Sequence, residues 1–141
     1  MASLDEGRVG VSAQACGIAT AARDAAAAYA RAHPADAEAA VRAGEADAWV
    51  RAGFGLCLRA ASLKDAGRPF TRPAAMAKLY CTEMAGRVCQ HALRSLGLAG
   101  QDATARVEQL ARDARITRIY EGTSEVQRIV IARELLRGLS A

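Results

Sequence analysis

Aromatic residues are scarce in this chain. Phe, Trp and Tyr make up 4% of its 141 residues although 52% are hydrophobic, and alanine supplies much of the apolar count. That balance excludes a sheet of β-branched and aromatic strands and favours helices that approach closely. Proline is equally rare: Pro34, Pro69 and Pro73 stand where helical patterns stop or start. No apolar run reaches the length needed to cross a bilayer, and the N-terminus has no signal-peptide-like apolar stretch. No segment alternates with a period of two, no repeat of fixed period appears, and no linker rich in Pro, Gly or Ser divides the sequence. Residues 1–141 therefore read as one helical domain, long enough for a single sizeable core.

Charge of one sign is not concentrated anywhere. The 19 Lys and Arg and 15 Asp and Glu give a net charge of +4, but they are interspersed. Without a basic block or aromatic interleaving, a nucleic-acid interface is not expected. A solvated helical surface able to attract an anionic, phosphate-bearing ligand is. The four cysteines, Cys16, Cys57, Cys81 and Cys89, form no Cys-x-x-Cys pair, and each lies in a helical apolar pattern. They read as buried free thiols of a reducing compartment, so the cytoplasm is the expected location. His33 and His91 are too far apart and too poorly accompanied to suggest a metal.

Four long amphipathic segments are present. The first runs from about Leu4 to Ala32, opens with Asp5 and Glu6, and ends at His33-Pro34. The second runs from near Asp36 to Lys64, with Val41, Ala48, Trp49, Ala52, Leu56, Ala60 and Leu63 as its apolar stripe. Gly53 and Gly55 within it imply close packing against a neighbour. The turn Asp65-Ala66-Gly67-Arg68-Pro69 follows. The third begins after Thr71-Arg72-Pro73, with proline at or near the first helical position, and continues through Met76, Leu79, Tyr80, Met84, Val88 and Leu93 to about Leu96. A shorter helix spans Asp102 to Arg112, and the last runs from Thr123 to about Leu139. The pattern predicts an all-α fold: an antiparallel up-down four-helix bundle with a short extra helix.

The most informative stretch is residues 115–128, Arg-Ile-Thr-Arg-Ile-Tyr-Glu-Gly-Thr-Ser-Glu-Val-Gln-Arg. A Ser or Thr followed by Glu and an apolar run marks a helix start. Gly122 frees the backbone beside the Glu121 carboxylate for a tight connection or a close ligand. Taken locally, Glu121 reads either as an exposed acid answering the helix dipole or as a base held at a pocket wall. The local pattern favours the first reading.

Continued through Ile129-Val130-Ile131-Ala132-Arg133-Glu134-Leu135-Leu136, this stretch resembles the C-terminal signature of the acyl-CoA dehydrogenase family. The match is long and ungapped, and the resemblance covers essentially the whole chain. It implies that Glu121 is the base that removes the α-proton of an acyl-CoA thioester, with FAD as hydride acceptor. Leu4-Asp5-Glu6-Gly7-Arg8 followed by Val9-Gly10-Val11-Ser12-Ala13 resembles the family's opening of this domain. There the arginine sits near the base and the aspartate contributes to the thioester pocket, roles that carry over to Arg8 and Asp5. Locally the same two residues read as a helix N-terminal acid with a surface arginine, worth under about 1 kcal/mol if exposed. Some branches of the family place the base just before this arginine. Here that residue is Gly7, which leaves Glu121. Tyr120 would line the acyl pocket with Gly122, and Thr123 and Glu125 match positions that touch the flavin.

Two departures fall on the flavin-binding half that the family donates to a neighbouring subunit. The usual Arg-x-x-Phe-Gly grip is replaced by His33, Asp36 and Ala37. The usual Gln-x-x-Gly-Gly-x-Gly reads Arg94-Ser95-Leu96-Gly97-Leu98-Ala99-Gly100, with Leu98 in place of a glycine. The family's N-terminal helical and central β-domains are absent from this chain, which makes it either a fragment or a separate subunit of a hetero-oligomer. The expected partners are an acyl-CoA substrate, a homo- or hetero-oligomer formed through the bundle, and an acceptor of the electron-transfer-flavoprotein type. Catalysis by this chain alone is not expected. The competing expectation is a non-catalytic helical assembly module in which Glu121 is a relic or a cap.

Overall fold

The punctuation read from the sequence sets the helix boundaries. A computed structural model describes residues 2–101 and 106–137. Helix α1 spans Ala2–Ala32, α2 Ala37–Asp65 and α3 Thr71–Leu96. A short 3₁₀ segment covers Gly97–Gln101, followed by α4 at Val107–Thr117 and α5 at Ser124–Arg137. The expected beginning of the short helix at Asp102 and the expected end of the last helix at Leu139 lie outside the described residues. No strand occurs among the described residues, so the all-α reading holds.

Pro34 lies just beyond the end of α1, and Asp36 starts α2 as its N-cap by accepting a 2.9 Å bond from the Ala39 amide. Gly67, with φ 64°, makes the turn after α2. Helices α1, α2 and α3 pack against one another, and α4 closes against α1 and α3. Helix α5 lies against α3. Helix α3 is thus the central element, with twelve buried positions from Ala74 to Ser95.

The core is built from small side chains: Ala15, Cys16, Ala19, Ala22 and Ala26 of α1 meet Cys81, Ala85, Val88, Cys89 and Ala92 of α3. Small residues let helix axes come close, which is how an alanine-rich chain reaches native packing density. Gly53 illustrates the approach. A Cβ there would fall 2.8 Å from Met84 Cε, and its carbonyl accepts from the Cys81 thiol at 3.3 Å. Gly55 has open space around it, so close packing accounts for one of the two glycines only.

The stripe of α2 differs from the one read by periodicity. Ala39, Ala46, Val50, Gly53, Cys57 and Ala60 face the core, whereas Val41, Ala48 and Ala52 face outward. Phe54 and Leu58 are exposed as well. The small residues, not the large ones, mark the packed face. All four cysteines are buried and unpaired, as expected, with Cys16 and Cys81 sulfurs 3.6 Å apart. Among the described residues no helix is long and apolar enough to cross a membrane.

Candidate active site

Helix α4 ends at Thr117 and α5 begins at Ser124, so Glu121 sits in the connection between them. Its backbone is left-handed, φ 58°, and Gly122 follows at φ 94°. A glutamate rarely takes that conformation, which costs of order 1 kcal/mol or more. It is retained because the loop is gripped from two helices. Lys78 Nζ of α3 donates to the Gly122 carbonyl at 2.6 Å. Gln127 Nε2 of α5 donates to the same oxygen at 2.9 Å and to the Glu121 carbonyl at 3.2 Å. The φ of 94° at Gly122 would strain any side chain there, and a Cβ would fall 2.6 Å from Gln127 Nε2 and displace that amide.

The loop aims the Glu121 carboxylate at α1. A Cβ on Gly7 would lie 2.5 Å from Glu121 Cδ and Oε2 and 2.9 Å from Oε1. The carboxylate therefore occupies the space that any side chain at position 7 would take. The residue next along α1 is Arg8, 3% exposed, whose Nη1 donates to Asp5 Oδ1 at 2.6 Å. Asp5, also 3% exposed, accepts at Oδ2 from the Thr71 hydroxyl at 2.7 Å. The Asp5–Arg8 pair is thus buried and tied to α3, not a surface pair, and losing one of its partners costs more than breaking an exposed bridge would. Among the described residues Arg8 Nε is buried without a hydrogen-bond partner.

Around the rim, the Tyr120 hydroxyl donates to Gln14 Oε1 of α1. Thr123 is the N-cap of α5, its hydroxyl accepting from the Val126 amide at 3.5 Å. The Glu125 backbone N–H, and then the Thr123 hydroxyl, donate to the exposed Glu125 carboxyl and hold it below the usual range. Ser124 and Arg118 both donate to Glu83 Oε1 of α3, at 2.7 and 3.1 Å, pinning both ends of the connection. Thr123, Ser124 and Glu125 line a cleft of about 250 Å³ together with Arg115, Arg118 and Ile119. Among the described residues no group of three or more His, Cys, Asp or Glu is placed to hold a metal.

Of the residues singled out from sequence, Glu121, Gly122, Tyr120, Thr123 and Glu125 share this loop and its rim, with Asp5 and Arg8 on the facing turns of α1. His33, Asp36, Arg94 and Leu98 belong to the opposite end of the bundle. There His33 stacks on Tyr29 with ring centroids 4.0 Å apart, and Asp36 is engaged as a helix cap. Leu98 is 86% exposed. Arg94 lines a groove of about 580 Å³ between α3 and α4 that also holds Arg87, Arg112, Arg115 and Arg118. Sequence reasoning missed Lys78, Gln127 and Thr71. Lys78 had a signal: a lysine falls on the register of Ala74, Cys81 and Ala85, which is the buried face of α3.

The chain resembles known proteins along almost its whole length. Residues 1–136 match the family model described as the acyl-CoA dehydrogenase C-terminal domain. A probable acyl-CoA dehydrogenase of Bacillus subtilis is 44% identical over 142 residues, covering 96% of this chain and 37% of that protein. The mitochondrial short-chain specific acyl-CoA dehydrogenase of Bos taurus is 43% identical over 145 residues, covering 97% of this chain and 35% of its own length. Among solved structures, butyryl-CoA dehydrogenase from Megasphaera elsdenii superposes with a TM-score of 0.93 at 37% identity, over 96% of this chain and 37% of that one. A chain from the structure of the Acidaminococcus fermentans electron-transferring flavoprotein gives a TM-score of 0.91 at 38% identity, over 95% and 37%. The chain spans little more than a third of the length of these relatives. It belongs to the acyl-CoA dehydrogenase family, as that family's C-terminal helical domain.

Proposed function

We propose that this chain is the base-bearing domain of an FAD-dependent acyl-CoA dehydrogenase, and that Glu121 removes the α-proton of an acyl-CoA thioester. One observation carries the reading. Glu121 stands in a strained left-handed conformation, and its carboxylate fills the space left by the missing side chain of Gly7. Strain and a reserved space have no use for an acid that only caps a helix, since Thr123 already caps α5. Arg8, held by Asp5, which in turn accepts from the Thr71 hydroxyl, stands beside the loop. Tyr120, anchored to Gln14, and Gly122 form the rim where the acyl chain would enter.

FAD, when bound, supplies the acceptor for the hydride that leaves the β-carbon. The residues present fit it in part. Thr123 and Glu125 line a cleft walled by Arg115 and Arg118, a suitable flank for a cofactor carrying phosphates. At the other end the fit fails for the usual grip: Asp36 places an acid there, and Leu98 adds a side chain where backbone would approach. The missing half of the site then comes from further segments or from a partner, in a homo- or hetero-oligomer. An acceptor of the electron-transferring-flavoprotein type is supported by the likeness to the Acidaminococcus fermentans chain. Four unpaired thiols support a reducing compartment such as the cytoplasm.

A second reading, a non-catalytic assembly module, is favoured by the apolar surface at Ile119, Val126 and Ile129, which are 59%, 42% and 67% exposed. Glu121→Gln in the assembled enzyme separates the two. Loss of a general base lowers turnover by about 10²–10⁴-fold, with flavin content and fold kept. Turnover equal to wild type would leave the assembly reading.

A further inference from the structure

We propose that Lys78 is the positioning residue of the candidate base: from beneath the loop it holds the Gly122 carbonyl and so fixes the direction in which Glu121 points. This rests on the reading of Glu121 as the base. Lys78 is 0% exposed, on the buried face of α3, in a register otherwise filled by Ala74, Cys81 and Ala85. A lysine wholly out of water is costly unless its charge is answered. Among the described residues no carboxylate lies within ion-pair distance of its ammonium, which donates instead to one carbonyl oxygen, Gly122 O, at 2.6 Å.

Core packing alone calls for leucine or methionine at such a site. Burial, and then the Arg8 guanidinium, push the Lys78 ammonium below its ordinary pKa, while Glu121, Glu83 and Glu125 oppose them. The helix bundle gains nothing from this arrangement, and the loop gains a fixed peptide plane. Gln127 completes the grip, reaching the Glu121 and Gly122 carbonyls from α5. With both carbonyls held toward α3 and α5, the left-handed pair Glu121–Gly122 is held in place, and the glutamate side chain projects toward Gly7. Lys78 touches no reacting atom in this scheme and acts through Glu121.

The test is made on the 141-residue chain by NMR and amide hydrogen exchange, comparing wild type with Lys78→Met, which keeps length and removes charge and donor. The melting temperature should hold or rise. The amides of residues 120–123 should exchange tenfold faster or more while those of the α1–α3 core stay unchanged. Glu121 should also lose the backbone chemical shifts of a left-handed residue, a signature that a general packing role would not move. Loop exchange within twofold of wild type, with the left-handed shifts retained, overturns the proposal. Should Lys78→Met fail to fold, the wild-type chain decides. Slowly exchanging Lys78 ammonium protons with cross-relaxation to Gly122 and the Gln127 amide support the grip, and their absence refutes it. No reaction is read in either arm. An active Glu121→Gln enzyme would therefore remove the base assignment alone, and an unchanged loop would remove the positioning role alone.

Discussion

Gly7→Ala should improve the fold and damage the function. Position 7 lies inside α1, where glycine costs roughly 0.5–1 kcal/mol relative to alanine. The three atoms nearest the added methyl all belong to the far end of the Glu121 side chain, at 2.5, 2.5 and 2.9 Å. A flexible side chain yields at little energetic cost, so most of the helix gain survives. At about 2.1 cal/mol/K per residue, a chain of 141 residues unfolds with an entropy near 0.3 kcal/mol/K, and the gain raises the melting temperature by about 2–3 °C. The carboxylate, however, must retreat by about 1 Å to recover ordinary contact at 3.4 Å or more. A displacement of that size at a reacting group lowers turnover by on the order of 10²-fold. Calorimetry on the chain and the rate of acyl-CoA oxidation by the assembled enzyme read the two effects separately. A Gly7→Ala enzyme with wild-type turnover would refute the placement of the working carboxylate against α1. A melting temperature lowered by several degrees would refute the claim that only Glu121 fills that space.

Two further outcomes follow from buried groups. Arg8→Leu leaves the Asp5 carboxylate buried with Thr71 as its remaining partner. It should cost about 3–5 kcal/mol, a fall of 10 °C or more in thermal melting, whereas the double change Asp5→Leu/Arg8→Leu should recover much of that loss. Burial pushes the Cys89 thiol up from 9.0 to about 12, so the thiol stays protonated in the folded chain over a range where the unfolded chain loses its proton. Its contribution to stability is complete below pH 9 and is lost as the pH climbs toward 12, at about 1.4 kcal/mol per pH unit. Cys89→Ala should therefore make the alkaline decline measured by urea unfolding shallower. An unchanged slope would show that Cys89 ionises freely in the fold.

The helices were legible because their ends carry local chemistry: Pro34 after α1, Asp36 before α2, Gly67 and Pro69 before α3. Which face each helix buries was less legible. In α2 the large residues Val41, Phe54 and Leu58 lie outside, while Ala39, Ala46 and Gly53 lie inside. A reading that weights bulk finds the wrong stripe when close approach is what the core selects. Likewise only Val130 of the apolar residues Val126, Ile129, Val130 and Leu136 is buried on α5. The residues around Glu121 were legible through the family signature alone, since the local pattern favoured an idle acid. Its supports were not, because they come from afar: Lys78 is 44 positions before Gly122, and Thr71 is 66 after Asp5. Hydrogen bonds of that separation leave no period in a sequence. What they leave is a polar residue on an apolar register.

That misfit links the site to its energetics. Glu121 is left-handed, Lys78 carries a charge out of water, Arg8 Nε and Gln127 Oε1 are buried without hydrogen-bond partners among the described residues, and Gly7 weakens its own helix. Each of these features is unfavourable by itself, and all surround one loop at one end of the bundle. At the other end, where the family's flavin grips would stand, His33 and Asp36 are spent on local order, a ring stack on Tyr29 and a helix cap. A domain kept only for assembly would have no reason to keep a strained loop over a buried lysine, since substitution there by ordinary core residues would stabilise it. Two of these features have counterparts away from the loop, since Arg106 is also left-handed at φ 56° and His91 Nδ1 and Ser95 Oγ are also buried without hydrogen-bond partners among the described residues. The buried lysine and the space kept by Gly7 both lie beside Glu121, as its proposed role requires.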